Sequence, residues 1–228
     1  FITGTLAASG ARTMILSPPR GWMTSSAPLL AESFLAAGPP AKRGGALRLD
    51  NEEVGSGTKQ GAGSTFLKDT LARIVEATGG TREDTFRAMA GSFMVSADNA
   101  HAVHPNFPEK TDDTNRPYMN EALHQAQRQP EIYHRRGLRR IFRAICQKAG
   151  VPVQNYVNRS DMAGGSTLGN IASTHTPMNT VDIGLAQLAM HSPYETGGAR
   201  DTEHLVKALK YFYETPIRCE GDGRYVVE

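Results

Sequence analysis

Long apolar runs are missing from this chain of 228 residues. None approaches the roughly 18–20 residues that a membrane helix needs, which excludes a helical membrane-spanning protein. Cysteine is scarce as well: Cys146 and Cys219 cannot build a disulfide framework and lack metal-type spacing, so a reducing, cytoplasmic setting is the simpler expectation. Neither sign of charge is in excess, with 25 basic against 23 acidic residues, and there is no global case for a nucleic-acid partner. Acid is almost absent from residues 1–49, which hold six Gly, five Pro and only Glu32 as a carboxylate. That stretch has no regular apolar period and is hard to fold alone. The chain opens on Phe1, shows no signal-peptide pattern and reads as a fragment. No internal repeat of 20–50 residues is present.

What is there reads as an ordinary globular composition, 39% apolar and 21% charged, with enough chain to bury a core. Thr65–Ala77 places Leu67, Leu71, Ile74 and Val75 at helical spacing and is stopped by Gly79-Gly80. Thr81–Ala90 follows as a second helix, with Glu83 and Asp84 in its first turn. Phe93–Ala97 reads as a short buried strand, Ile141–Ala149 as a helix ended by Gly150, and Val151–Val157 as a strand. Thr202–Thr215 reads as a helix capped by Asp201/Thr202 and closed by Pro216. Strands alternating with helices predict an α/β layer fold. Between Arg128 and Arg143 stand six arginines and no lysine, which fits either an RNA-binding arm or, more commonly, a solvated surface segment.

Four stretches hold groups able to bind metal or move protons. In the first, the adjacent Glu52 and Glu53 precede a Gly55-Ser56-Gly57 turn. Two carboxylates held close need a cation or a shared proton, whereas an exposed acidic turn needs neither. In the second, Asp98 follows the strand at 93–97, where open α/β sheets place ligand-binding groups, and His101 and His104 come shortly after. The third, Asp161–Gly169, is glycine-rich; its amides could donate to a developing oxyanion, although a lone glycine-rich loop is weak evidence. In the fourth, His191 ends the apolar run after Asp182, a pattern also given by a satisfied core histidine.

Taken together and in this order, DNEEVGSGTKQGA, SADNAHAVHPNFPEK, NRSDMAGGSTLGNI and DIGLAQLAMHSPYET resemble the aspartyl aminopeptidase family of cytosolic two-zinc exopeptidases. The resemblance covers Asp50–Asn120 and Ile141–Glu228 almost continuously. It implies an α/β fold, a mixed sheet with helices on both faces, forming part of a zinc-exopeptidase catalytic domain. Residues 50–228 would be the C-terminal part of that domain and 1–49 a poorly matching segment, the whole being roughly the C-terminal half of such an enzyme. The implied activity is removal of N-terminal residues, typically acidic, from peptides. Carried over by motif, Glu52 would be the general base, with Glu53, Asp98 and His191 as ligands of two Zn(2+) ions and Gly165, Ser166 and Thr167 binding substrate. His101 and His104 would support the site rather than ligate. The intact family forms homo-oligomers and implies neither nucleic acid nor membrane as a partner.

Two stretches depart from the family. Where it has a segment like Ala-Pro-Arg-Leu-Asp-Asp-Leu-Gln-Cys-Ala, whose first Asp bridges both zincs, this chain has Pro19–Pro28 without an acid. A coding string for Arg-Leu-Asp-Asp-Leu-Gln-Cys-Ala, read one base late, gives Gly-Trp-Met-Thr-Ser-Ser-Ala, which are residues 21–27. The stretch His124–Arg136 likewise shifts into a family-like Ile-Lys-His-Ser-Ala-Asn-Gln-Lys-Tyr-Thr-Thr-Asp. Residues 13–30 and 122–140 therefore read as out-of-frame translation, by sequencing error or gene decay, and should sit poorly on the fold. They leave an impaired enzyme or, as the alternative, a catalytically dead remnant or assembly subunit.

Overall fold

The computed structural model describes residues 13–17, 32–38, 44–49, 51, 55–126, 133–162, 165, 167–192, 194–220 and 224–227. Its centre is a six-stranded mixed sheet in the order β2-β1-β3-β7-β5-β6. The strands are β1 (Thr13–Ser17), β2 (Gly44–Arg48), β3 (Phe93–Ala97), β5 (Leu123–Ala126), β6 (Val153–Tyr156) and β7 (Asn179–Gly184). β2, β1, β3 and β7 run parallel, while β5 pairs antiparallel with β7 and parallel with β6.

The sheet is covered on both faces because the strand pleat sends alternate side chains to two separate cores. Phe93, Val95 and Ala97 of β3 join one cluster, and Met94 joins the other. Over the first face lie α4 (Tyr133–Lys148) and α6 (Ala199–Glu214). α4 contributes Leu138, Ile141, Phe142, Ile145 and Cys146, and α6 contributes Leu205, Leu209, Phe212 and Tyr213, all at helical spacing. Full burial of a Leu or Phe is worth about 1.5–3 kcal/mol, so these stripes hold both helices down. A helical turn, α1 (residues 32–36), leans on the same side, with the Phe34 ring 5.1 Å from that of Tyr213. Over the other face lie α2 (Phe66–Ala77), α3 (Arg82–Ala90) and the short α5 (Leu168–Ala172).

The helices expected at 65–77 and 81–90 are present. Gly79, at φ +80°, and Gly80 end α2, and a capping box between Thr81 and Asp84 starts α3. Three expectations need correction. The helix expected from Ile141 begins at Tyr133 and takes in the second half of the arginine-rich stretch. There Arg143 donates to Gln125 Oε1 at 3.1 Å and to Asn155, tying the helix to β5 and β6. Asp201 is no cap: α6 starts at Ala199, and Asp201 lies buried in its first turn.

The third correction concerns the stretches at 13–30 and 122–140. Thr13–Ser17 forms β1 between β2 and β3, ahead of the recoded residues 21–27, and Leu123–Ala126 forms β5 inside the sheet. Strand pairing uses backbone groups that any residue supplies. In β5 the side chains comply as well, since Leu123 is fully buried and Gln125 is satisfied by the Arg139 carbonyl and by Arg143. Residues 18–30 and 127–132 lie outside the described residues.

Candidate active site

The C-terminal ends of β1, β2, β3 and β7 open on one edge of the sheet, where parallel α/β sheets bind ligands. A smaller sheet extends from that edge, built of β4 (Ala100–His101), β8 (Ala186–Leu188) and β9 (Thr196–Gly197) in the order β4-β8-β9. β4 continues from β3 and β8 from β7. The parallel ladder therefore runs on, with the Asp98 N–H donating to the Ile183 carbonyl at 2.8 Å and the Ala100 N–H to that of Leu185 at 3.0 Å.

Asp98 accordingly stands just past β3, half-buried, as its place after the strand anticipates. His191 stands in the turn just past β8 and is exposed, so the core-histidine alternative fails. Its φ is +67°, and that of Ala189 two residues earlier is +55°. Non-glycine residues in this region cost about 1–3 kcal/mol each and gather where function fixes the backbone. Asn51, immediately before Glu52, is a further case at φ +60°.

Glu52, Glu53 and Ser166 lie outside the described residues. Gly165 is exposed, and a Cβ on it would meet nothing within 4 Å. Thr167 precedes α5 and donates its hydroxyl to Asp182 Oδ1 at 3.1 Å. The crowded glycine of this loop is Gly169, whose N–H donates to Ser96 Oγ at 3.0 Å. Asp161, which opens the loop, is held by Arg159 through two contacts of 2.9 and 2.6 Å, and this guanidinium keeps its carboxyl below the usual range.

His101, at the exposed end of β4, stands near His191; partial desolvation, and secondarily its neighbour His191, lower the His101 pKa from the ordinary imidazole value. Beside His101 a cleft of about 340 Å³ opens between the loop carrying His104 and Phe107, the segment carrying Tyr156, Arg159 and Met162, and Gln187. Residues that the four stretches did not single out also matter here. Asn99, Gln187 and Glu195 are linked by side-chain hydrogen bonds, and Glu195 accepts from the His191 N–H at 3.0 Å. All three sit inside the motif blocks, yet two amides and a carboxylate apart from the acidic pairs carry no chemical signature in a sequence.

Carboxylate oxygen and imidazole nitrogen are suitable zinc donors. Among the described residues, however, no group of three or more His, Cys, Asp or Glu side chains stands ready to hold a metal ion. Asp98 and His191 by themselves do not fit one, because catalytic zinc keeps three protein ligands. Among the described residues no helix is long and apolar enough to cross a membrane.

A parallel-centred mixed sheet with acid and imidazole beyond its strand ends offers donors where α/β folds place their sites, and comparison with known proteins identifies the family. Residues 42–213 match the family described as Aminopeptidase I zinc metalloprotease (M18). The "Probable M18 family aminopeptidase 2" of Clostridium novyi (strain NT) is 52% identical over 167 residues, and that of Clostridium acetobutylicum 49% over 169. Each alignment covers 72% of this chain and 38% of the relative, so the chain spans under two fifths of the curated relatives it matches. Among solved structures, the "Cryo-EM structure of the Ape4 and Nbr1 complex" superposes with a TM-score of 0.77 at 30% identity, covering 85% of this chain and 38% of that one. The "Structure of S. cerevesiae mApe1 dodecamer" shares the fold at a TM-score of 0.67 and 24% identity, covering 82% and 43%. The chain belongs to the M18 family of aminopeptidases.

Proposed function

We propose that this chain carries part of the catalytic centre of an aminopeptidase that removes N-terminal residues, typically acidic, from peptides. One observation carries the reading. Asp98 and His191, from motifs far apart in sequence, stand just past β3 and just past β8, which continues β7, the parallel neighbour of β3. Residues 50–228 then form the C-terminal part of the catalytic domain, and 1–49 a segment that matches it poorly. Glu53, Asp98 and His191 are assigned as ligands of two zinc ions. When bound, such ions polarise a scissile carbonyl and make water more acidic. Glu52 takes the proton from the attacking water and returns it to the leaving amine. Gly165, Ser166 and Thr167 hold the peptide. A cytoplasmic homo-oligomer is the proposed working form, and the S. cerevesiae relative, described as a dodecamer, supports it.

Activity in this chain is proposed to be impaired. Residues 19–28 hold no acid where the family segment carries the Asp shared by both metals. The same feature favours the alternative, a catalytically dead remnant that assembles with intact subunits. The test is a full-length version with the reading frame restored. There Glu52→Gln keeps its zinc and loses about 10²–10⁴-fold in turnover. Removing Glu53, Asp98 or His191 instead releases metal, as read by mass spectrometry. Turnover within a few-fold for Glu52→Gln, or two retained zincs in a ligand variant, would reject the corresponding role.

A further inference from the structure

Two loops bear the candidate donors, and a line of side-chain hydrogen bonds joins them. Leu185 donates its N–H to Asn99 Oδ1 at 3.2 Å, and Asn99 Nδ2 donates to Gln187 Oε1 at 2.8 Å. Gln187 Nε2 then donates to Glu195 Oε1 at 3.5 Å, and the same oxygen accepts from the His191 N–H at 3.0 Å. Asn99 is the neighbour of Asp98, and Glu195 closes the turn in which both Ala189 and His191 hold positive φ. Gln187 is buried and spans the gap between the two halves, 88 residues from Asn99 in sequence and 8 from Glu195.

We infer that Asn99, Gln187 and Glu195 are positioning residues: an amide relay that fixes the His191 turn against the strand end carrying Asp98. The physical need is plain. A left-handed backbone at two non-glycine positions persists only when its surroundings over-determine it. The β4-β8 ladder stops short of that turn and the β8-β9 pair closes at Leu188 and Thr196, so between them the carboxylate of Glu195 and the amide behind it add a side-chain restraint on the His191 backbone. An amide suits the central position because Gln187 must accept at one end and donate at the other, which neither a carboxylate nor an ammonium can do. The relay's functional meaning rests on the assignment of Asp98 and His191 as donors; its existence does not.

The experiment is amide hydrogen exchange followed by NMR on the 228-residue chain, with the Asp98 N–H, bonded to Ile183 in the main ladder, as internal reference. Gln187→Met fills the same volume without hydrogen bonds. It should speed exchange at both Leu185 and His191 by roughly tenfold relative to Asp98, the order expected for loss of one net hydrogen bond. Glu195→Met should do the same and should also move the His191 imidazole resonances. Glu195→Gln keeps a carbonyl acceptor and should restore both. Should Gln187→Met fail to fold, the Glu195 pair still decides the matter. Faster exchange confined to His191, with Leu185 unmoved, or no rescue by Glu195→Gln, would overturn the relay. The donor assignment is judged separately by the metal content of a His191 variant of the frame-restored, full-length protein: two retained zincs there would reject it, while the exchange comparison still judges the relay.

Discussion

Gly169 lies so close to Asp182 that a Cβ built on it would stand 2.7 Å from the carboxylate Oδ1, and 2.6 Å from the Cβ of Ser96. Ser96 and Asp182 face each other in the β3-β7 register, so α5 is set directly onto the two strands that lead to the candidate site. The glycine is needed for contact distance and not for a left-handed backbone. Gly169→Ala should therefore destabilise the fold by about 1–3 kcal/mol, the usual cost of overpacking a tight contact. Gly57→Ala, where the added atom meets nothing within 4 Å, should shift the denaturation midpoint little. Equal midpoints for the two variants would contradict the packing described for α5.

Asp201 makes stability depend on pH in an unusual direction. Its carboxyl is fully buried, Oδ2 accepts from the Asn120 N–H at 2.6 Å, and Oδ1 has no hydrogen-bond partner among the described residues. Desolvation is the main cause that raises its pKa; the Asn120 bond and the charge of His204, 3.8 Å away, lower it, and Glu121 adds to the rise. A raised native pKa means that the folded chain holds this proton more tightly than the unfolded chain. Its contribution to stability is thus present below the ordinary value of 3.8 and is lost as pH climbs through the native value. Asp201→Asn should remove that component, so wild type should lose stability relative to the variant as pH rises from about 4. Denaturant unfolding across that range would show it, and parallel curves would count against it.

The two thiols should behave oppositely. Cys146 is fully buried in the α4 stripe, and burial pushes its pKa up to about 12, whereas Cys219 is exposed at the end of β10 (Ile217–Cys219). The thiolate is the reactive form, so a disulfide reagent at neutral pH should label Cys219 alone in the native chain and both thiols in denaturant. Rapid native labelling of Cys146 would mean that α4 does not pack as described.

How much of this was legible in the sequence follows from the range of the forces involved. α2, α3 and β3 were readable because Leu67, Leu71 and Val75, the Thr81 cap and the run FMVSA are local signals. β1, β2, β7 and β8 were not, since each depends on partners distant in sequence and strand propensity is set largely by neighbours. The apolar run ending at His191 turned out to be two strands in separate sheets. Asp201 misled because an acid beside Thr202 has the look of a cap, while burial against Asn120 is a tertiary fact. At the site, Asp98 and His191 could be picked by residue type and motif. The relay through Asn99, Gln187 and Glu195 could not, because only folding brings amides from separate motifs within reach.

The central proposal is that this chain carries part of an M18 centre that lacks the carboxylate both metals would share. Turnover of Asp- and Leu-aminoacyl substrates by the purified 228-residue chain with added zinc tests it most directly. With the ligands proposed above, Glu53 with His191 and Asp98 by itself fall short of the three that catalytic zinc keeps, so no turnover above background is expected. A rate on the order of 1 s⁻¹ or more, ordinary for an enzyme, would contradict the account and require another group in place of the shared carboxylate.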